Sequence, residues 1–272
     1  MTAAARPLRK GIQSIEIGYS ILAVLMQSAR PLPLKTISQQ SGLSPSKAHS
    51  YLVTFCALEM VVQHQDSGSY ALGPAALRLG LGYLDQFDLF TATRPAMSTL
   101  AEDIGATIFL GVWGNRGPTI VYRVDGPFSQ ALFDLRVGSV LPLLRSAVGR
   151  NLAAHLPSNI VKPFITAELD QLRPTAEAED SIDNPQTLGT VDRMLDAVRK
   201  DGISRCRGGL MSDFTALSVP IFDFSGGIHG ALTVMGRLNH FDDSLDGRPA
   251  TLLKATCQSI SSSCGYSQAN PA

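Results

Sequence analysis

Residues 41–52 read SGLSPSKAHSYL, with a glycine two residues before a Ser-Pro pair. Gly42 suits the left-handed conformation in which many helices end. Ser44 and Pro45 suit the N-cap and the first position of a new helix. The stretch therefore predicts a turn between two helices. Taken alone, it is consistent both with an ordinary helix start and with the turn of a helix-turn-helix.

Apolar residues at helical spacing occur before and after this turn. Residues 14–26 predict a first helix and residues 35–41 a second. In the third helix, apolar side chains fall at i, i+3, i+4 and i+7, which predicts one buried face. The residues expected to face inward are Ile15, Tyr19, Leu22, Leu25 and Met26 in the first helix and Ala48, Tyr51, Leu52 and Phe55 in the third.

A β-hairpin is predicted directly after the third helix. Residues 60–63 and 69–72 have strand character, and HQDSGS between them contains Gly68 as the residue that permits a tight turn. Three helices followed by a hairpin form a winged helix-turn-helix, which we place at residues 1–73. Residues 74–87 then predict a linker helix.

The period of the apolar residues changes in residues 88–272, where short strands alternate with amphipathic helices. The predicted strands are 107–113, 119–124, 129–136, 203–207, 216–222 and 228–236, and the predicted helices are 147–155, 188–200 and 248–263. Residues 157–186 contain helical fragments without clear boundaries. The pattern predicts a mostly antiparallel sheet flanked by helices, so that the whole chain is of the mixed α/β (α+β) class.

Composition limits the possible classes of protein. With 44% hydrophobic residues among 272, the chain can form a sizeable core. No run of apolar residues is long enough to span a membrane, and no apolar segment follows the basic N-terminus, so we expect no membrane partner and a cytoplasmic location. Four cysteines show no CxxC pair and no histidine at zinc-ligand spacing. We therefore expect free thiols, no metal and no cofactor.

Charge is unevenly distributed although the net charge is zero. Residues 1–83 carry seven basic and three acidic side chains, a net +4, whereas the remainder carries 16 basic and 20 acidic, a net −4. A basic segment joined to an acidic one is typical of a nucleic-acid-binding module fused to a domain that does not contact nucleic acid.

Several motifs occur in an order that resembles the IclR (isocitrate-lyase-regulator) family of bacterial transcription regulators. They are KGIQSIEIGYSILAVL, the helix-turn-helix, YALGPAALRLG, GSVLPLLRSAVGRNLAAH and ALSVPIFDFSGGIHGALTVMG. The resemblance runs from about residue 10 to the last helix. It implies that residues 88–272 form a GAF/PAS-like effector-binding and oligomerisation domain. It also implies three partners: double-stranded operator DNA, a small effector, and a second copy of the chain in a homodimer or homotetramer.

The resemblance and the polar side chains together indicate DNA-contacting residues. Family members commonly have a His-Arg pair in the recognition helix, whereas this chain has His49–Ser50, and Lys47 offers a replacement charge. Phosphate contacts supply affinity and base contacts supply specificity. The candidate DNA-binding residues are Lys35, Ser44, Ser46, Lys47, His49, Ser50, His64 and Gln65.

The same resemblance implies an effector site in the second domain. The candidate residues are Ser146, Ala147 and Gly149 after the Leu-Pro motif, and Cys206, Ala216, Thr233 and Met235 on the late strands. Relatives that bind small oxoacids tend to have Cys and Ser where this chain has Ala and Met. That difference favours a larger and more apolar organic acid, such as an aromatic one. The implied function is control of a catabolic operon, as repressor or activator, in response to that acid.

Two other functions are possible from the residues alone. One is an enzyme with a catalytic C-terminal domain, but the chain has no G-x-S-x-G, HExxH or P-loop motif. Cys206 has no neighbouring base by spacing, so a structural thiol is the simpler interpretation. The other is a winged helix that binds only proteins. We therefore predict no catalytic residues.

Overall fold

The computed structural model describes residues 11–86, 89–127, 135–171 and 180–267. The chain divides into two compact units, Met1–Phe87 and Asp88–Ala272. The first contains three helices, a short hairpin and a fourth helix, and the second contains a five-stranded antiparallel sheet with helices. The predicted α+β class with an N-terminal winged helix-turn-helix is confirmed.

The first unit contains the elements of a winged helix in order. They are α1 (Gln13–Met26), α2 (Leu34–Ser41), α3 (Pro45–Ala57), β1 (Val61–Gln63), β2 (Tyr70–Leu72) and α4 (Pro74–Gln86). The two strands pair antiparallel. Leu32 forms a β-bridge with Tyr70 of β2. Its N–H donates to the Tyr70 carbonyl at 2.8 Å, and its own carbonyl accepts from the Tyr70 N–H at 2.8 Å. The hairpin is thereby attached to the segment between α1 and α2.

The turn between α2 and α3 has the predicted geometry. Gly42 has φ of +70°, which a residue with a side chain rarely adopts. Ser38 Oγ donates to the Leu43 carbonyl at 2.6 Å and so closes the turn from within α2. Ser44 caps α3, because its Oγ accepts from the Lys47 N–H at 3.4 Å, and Pro45 occupies the first turn.

The core of the first unit lies between α1, α2 and α3. Ile21, Ile37, Ala48 and Leu52 are all fully buried. The predicted inward face of α3 is confirmed, since Tyr51 and Phe55 also pack against this core. This buried face therefore determines how α3 packs against α1 and α2.

The predicted inward face of α1 is wrong at three of its five positions. Leu25 is buried and Leu22 packs against the core, whereas Ile15, Tyr19 and Met26 are 66%, 61% and 61% exposed. The buried residues of α1 are Gly18, Ile21 and Leu25. The reason is that α1 has two apolar faces, and the one with glycine allows the closer approach. A Cβ at Gly18 would lie 3.0 Å from the Phe55 ring.

The second unit is built on one antiparallel sheet in the order β4-β3-β7-β6-β5. Its strands are β3 (Thr107–Gly114), β4 (Gly117–Val124), β5 (Ser204–Arg207), β6 (Phe214–Phe222) and β7 (Ile228–Arg237). Its helices are α5 (Leu89–Ile104), α6 (Ala147–His155), α7 (Ser158–Gln171), α8 (Leu188–Asp201) and α9 (Arg248–Ser263). Most of the predicted strand 129–136 lies outside the described residues. The unplaced fragments of 157–186 include α7.

Side chains alternate between the two faces of this sheet. Phe109 and Met235 pack with Val148 and Leu152 of α6. Their neighbours in the strands point to the other face, where α9 packs on β6 and β7 and Cys257 Sγ lies 3.6 Å from the Val219 carbonyl oxygen. Helix α6 therefore covers one face of the central strands, and α7 and α8 pack behind it.

Replacing Leu52 with alanine should destabilise the first unit. The side chain is fully buried, and deleting such a leucine costs about 2–5 kcal/mol. Val53→Ala is the matched control, because Val53 is 54% exposed on the same helix and its truncation should cost about 0.5 kcal/mol or less. Urea unfolding of the full chain followed by circular dichroism measures both. Equal losses would contradict the assigned face of α3.

Candidate functional site

All eight residues predicted to contact DNA have exposed side chains in the first unit. Lys35 lies on α2, Ser44 is the N-cap of α3, and the remaining six lie on the outer face of α3 or at the tip of the hairpin. Those six are Ser46, Lys47, His49, Ser50, His64 and Gln65. The structure thus leaves every predicted contact residue accessible, while their opposite neighbours Ala48 and Leu52 are buried.

The exposed face of α3 has its own hydrogen-bond pattern. Ser50 Oγ donates to the Ser46 carbonyl at 3.1 Å, and Thr54 Oγ1 donates to the Ser50 carbonyl at 3.2 Å. Within the described residues, the Lys47 and His49 side chains make no hydrogen bond or ion pair. Lys47 therefore keeps an unneutralised charge in the first turn of α3.

The tip of the hairpin is held by backbone bonds. The His64 N–H donates to the Ser69 carbonyl and the Gly68 N–H donates to the His64 carbonyl, both at 2.8 Å. Gly68 has φ of +66°. This turn fixes the backbone at His64 and Gln65 while both side chains stay exposed.

A cavity of about 30 Å³ lies in the second unit between the start of α6 and the sheet. Six of the seven predicted effector residues line it. They are Ser146, Ala147, Cys206, Ala216, Thr233 and Met235. Strand register brings the late positions together, since Cys206 pairs with Ala216 and Ala216 pairs with Met235 across three neighbouring strands. Most of the other lining residues are apolar, and they include Phe109 and Phe214.

Gly149, the seventh predicted residue, does not line this cavity. Its N–H donates to Ser146 Oγ at 3.0 Å, and a Cβ there would overlap the backbone carbonyl oxygens of Pro142 and Leu143. A glycine is required because the first turn of α6 packs directly on the preceding loop. Its contribution in this structure is close packing against that loop.

The first turn of α6 offers hydrogen-bond donors to the cavity. Ser146 caps the helix, and its Oγ also donates to the Pro142 carbonyl at 2.6 Å. Within the described part of the chain, the N–H groups of Ala147 and Val148 have no hydrogen-bond partner, and both residues line the cavity. Free N–H groups at a helix start attract anions, because the helix dipole places partial positive charge there.

The loop before α6 is held by two charged side chains. The Glu168 carboxylate on α7 accepts from the N–H groups of Leu143 and Leu144 at 2.6 and 3.1 Å. Arg150 Nε donates to the Leu144 carbonyl at 2.7 Å, while its two other nitrogens donate at 2.6 Å to the carbonyls of Arg205 and Asp183. These bonds fix the loop that positions Ser146.

A buried polar network connects the two walls of the cavity. Thr233 Oγ1 donates to Ser218 Oγ at 2.9 Å, and Ser218 Oγ donates to the Leu232 carbonyl at 3.1 Å. Asn151 of α6 donates to Ser204 Oγ at 3.0 Å and to the Ser218 carbonyl. Ser204 Oγ in turn donates to the Ala147 carbonyl at 2.6 Å. The network fixes α6 over β5 and β6.

Arg145 is a cavity residue that the sequence did not reveal. Arg205 and Arg207 on β5 do not line the cavity, and Arg207 binds Asp243 with two bonds of 2.6 Å. Arg145 does line it and is exposed. In the sequence, the feature that could have indicated Arg145 is its position immediately before Ser146, the N-cap of α6.

Cys206 is a buried thiol rather than a nucleophile. Burial raises its pKa, and the positive charges of Arg150 and Arg145 act in the opposite direction without reversing the shift. The thiol is therefore protonated at neutral pH, and the protonated form is a poor nucleophile. All four cysteines are free thiols, as predicted.

Two further findings concern the described part of the chain. None of its helices combines the length and apolar character needed to cross a membrane. Its histidine, cysteine and acidic side chains form no group of three that could hold a metal ion.

Comparison with known proteins identifies both parts of the chain. Residues 81–262 match the family described as "Bacterial transcriptional regulator IclR C-terminal", and residues 14–65 match the "IclR helix-turn-helix domain". The crystal structure of Pseudomonas aeruginosa HmgR superposes with a TM-score of 0.80 at 33% identity, covering 95% of this chain and all of that one. Agrobacterium tumefaciens repressor BlcR, 19% identical with a TM-score of 0.73, shares the fold.

Curated relatives point to the same class. The "Glycerol operon regulatory protein" of Streptomyces coelicolor is 27% identical over 242 residues, which are 89% of this chain and 91% of the relative. The "HTH-type transcriptional repressor AllR" of Klebsiella pneumoniae is 22% identical over 258 residues, 94% and 92% of the two chains. The protein is a DNA-binding transcriptional regulator and not an enzyme. It belongs to the IclR family, whose members have operator DNA and an effector ligand as partners.

Replacing Glu168 with glutamine should destabilise the second unit. The variant keeps one oxygen acceptor but loses the charge that strengthens both bonds to the loop, a loss of about 1–2 kcal/mol. Glu102→Gln on α5 is the matched control, because Glu102 is exposed and makes no hydrogen bond within the described residues. Thermal unfolding at matched pH compares the two. A smaller loss in Glu168→Gln than in the control would show that the loop does not depend on this carboxylate.

Proposed function

We propose that this regulator binds operator DNA through α2, α3 and the hairpin, and that a small organic acid in the cavity of the second unit changes its operator affinity. The observation that carries the proposal is the convergence of six predicted effector residues on one cavity in a chain whose first unit is a winged helix. By analogy with operon regulators such as the Streptomyces coelicolor relative, its target would be a catabolic operon.

For DNA, the support comes from the exposed face of α3. A recognition helix enters the major groove with its N-terminal residues toward the bases. In this chain those residues are Ser46, Lys47, His49 and Ser50, all exposed. Lys47 supplies the charge and the short side chains allow a close approach of the helix backbone. His64 and Gln65 at the hairpin tip would contact the phosphate backbone or the minor groove.

For the effector, the support comes from the lining of the cavity. Phe109, Phe214 and Met235 provide an apolar surface, and the free N–H groups at the start of α6 provide donors. This combination suits a carboxylate attached to an apolar body, such as an aromatic acid. Binding changes operator affinity only if the acid binds one of two conformations more tightly.

For self-association, the support comes from the exposed apolar face of α1. Ile12, Ile15, Tyr19 and Met26 are 61–66% exposed. With Leu22, which is half-buried and also packs against the core of this unit, they are spaced alternately by three and four residues, as in a coiled-coil seam. A second copy of this chain offers the same stripe, so α1 can pair with α1 about a twofold axis. A dimer would present two winged helices to two half-sites.

Replacing Lys47 with alanine should weaken operator binding uniformly across sequences. Loss of one phosphate contact reduces the dependence of log affinity on log salt by about one unit. Fluorescence anisotropy with the intergenic DNA beside the gene measures both quantities. Lys200→Ala on α8 is the control, because Lys200 is exposed in the second unit. Absence of binding by the unaltered protein at low salt would overturn the proposed function.

The effector is identified by thermal shift with aromatic and aliphatic acids, because a bound ligand stabilises the folded state by mass action. An acid that raises the melting temperature should also change operator affinity in the anisotropy measurement. Acids that stabilise the protein without altering operator binding would contradict the proposed coupling.

Replacing Ile15 with glutamate should weaken self-association at least about tenfold, because a charge would be buried in the α1 seam. Leu58→Glu is the matched control, since Leu58 is 60% exposed and lies outside the stripe. Sedimentation equilibrium compares the two variants with the unaltered protein. An unchanged association constant in Ile15→Glu would exclude this face as the dimer interface.

A further inference from the structure

The charge of the residues that line the cavity in the second unit is of one sign. Among its described lining residues there is no carboxylate, and Arg145 is the only cation. We propose that Arg145 is the specificity-determining residue of this cavity and makes it select a ligand with a carboxylate over the neutral ligand of the same shape. This inference rests on the proposed function of the cavity as the effector site.

Desolvation explains why one cation decides the selection. A carboxylate that enters the cavity loses the hydrogen bonds of its hydration water. The apolar walls, formed by residues such as Phe109, Leu141 and Phe214, offer no hydrogen bonds to replace them. A guanidinium can donate two parallel hydrogen bonds to a carboxylate. A neutral amide binds the same guanidinium much more weakly, because the ionic part of the interaction is missing. Among the side chains that line the cavity, Arg145 is therefore the one whose direct hydrogen bonds distinguish the two ligands.

Arg145 is placed to make this contact. It immediately precedes Ser146, so its backbone is fixed by the cap of α6 and by the bonds that hold the neighbouring Leu144. Its side chain is exposed and makes no hydrogen bond or ion pair within the described residues. The guanidinium is thus free to turn toward a ligand whose carboxylate approaches the N–H groups of Ala147 and Val148.

Arg150 adds a second positive charge beneath the same wall. It is 3% exposed, and its three guanidinium bonds go to backbone carbonyls rather than to a carboxylate. The nearby Asp183 carboxylate lies 3.7 Å from Arg205 instead. Both Arg150 and Arg145 lower the pKa of the Cys206 thiol against the effect of burial. Since Cys206 lines the cavity, the fields of both arginines extend into it and favour an anion.

The test compares acids with their primary amides. Benzoate, phenylacetate, 3-phenylpropionate and hexanoate, each paired with its amide, are titrated calorimetrically into the full-length protein and into Arg145→Met and Arg145→Lys. In the unaltered protein at least one acid should bind about tenfold or more tightly than its amide. Arg145→Met should weaken that acid by about 10- to 100-fold and its amide by less than about threefold. Arg145→Lys should retain part of the preference.

Arg116→Met is the matched control, because Arg116 is exposed in the turn between β3 and β4 and does not line the cavity. It should leave the preference unchanged. Equal binding of acids and amides, an equal loss for both in Arg145→Met, or no binding of any acid would overturn the inference. Operator binding by the same preparations separates the two ideas: a protein that binds its operator and responds to an acid, but keeps its preference without Arg145, refutes only the inference.

Discussion

The guanidinium of Arg150 holds together the segments on which the cavity depends. It extends from α6 to the carbonyls of Leu144, Arg205 and Asp183, which belong to three separate parts of the chain. A buried guanidinium without acceptors would be very costly, so each segment is fixed relative to the helix. The first turn of α6 and the sheet are therefore held at a fixed distance from each other, and the cavity lies in the space between them.

Helix α1 is apolar on two sides. One face, with Gly18, Ile21 and Leu25, closes the core of the winged helix. A second side, with Ile15, Tyr19 and Met26, is also apolar and stays exposed among the described residues. A helix that is apolar on two sides needs two partners. The fold supplies one of them, and the proposed pairing with a second copy of the chain would supply the other.

Local signals in the sequence predicted much of the fold. The cap at Ser44, the left-handed Gly42 and the bounds of α6 and α9 follow from residue types within one or two turns. The division of α1 into a buried and an exposed apolar side could not be predicted, because periodicity shows that a face is apolar but not what covers it. Arg145 was missed for a related reason. Its proximity to Cys206 depends on loop and strand packing across about 60 residues of sequence, which no local pattern contains.

The serine that stands where relatives commonly have an arginine changes the chemistry of α3 in kind. In this structure the Ser50 hydroxyl donates to the Ser46 carbonyl at 3.1 Å, which leaves its oxygen as an acceptor. An arginine donates to the acceptors of guanine, whereas a serine bonded in this way accepts from the amino groups of adenine or cytosine. Under the proposed contact of α3 with DNA, an operator chosen by analogy with relatives that have arginine would therefore present the wrong hydrogen-bonding partner to Ser50.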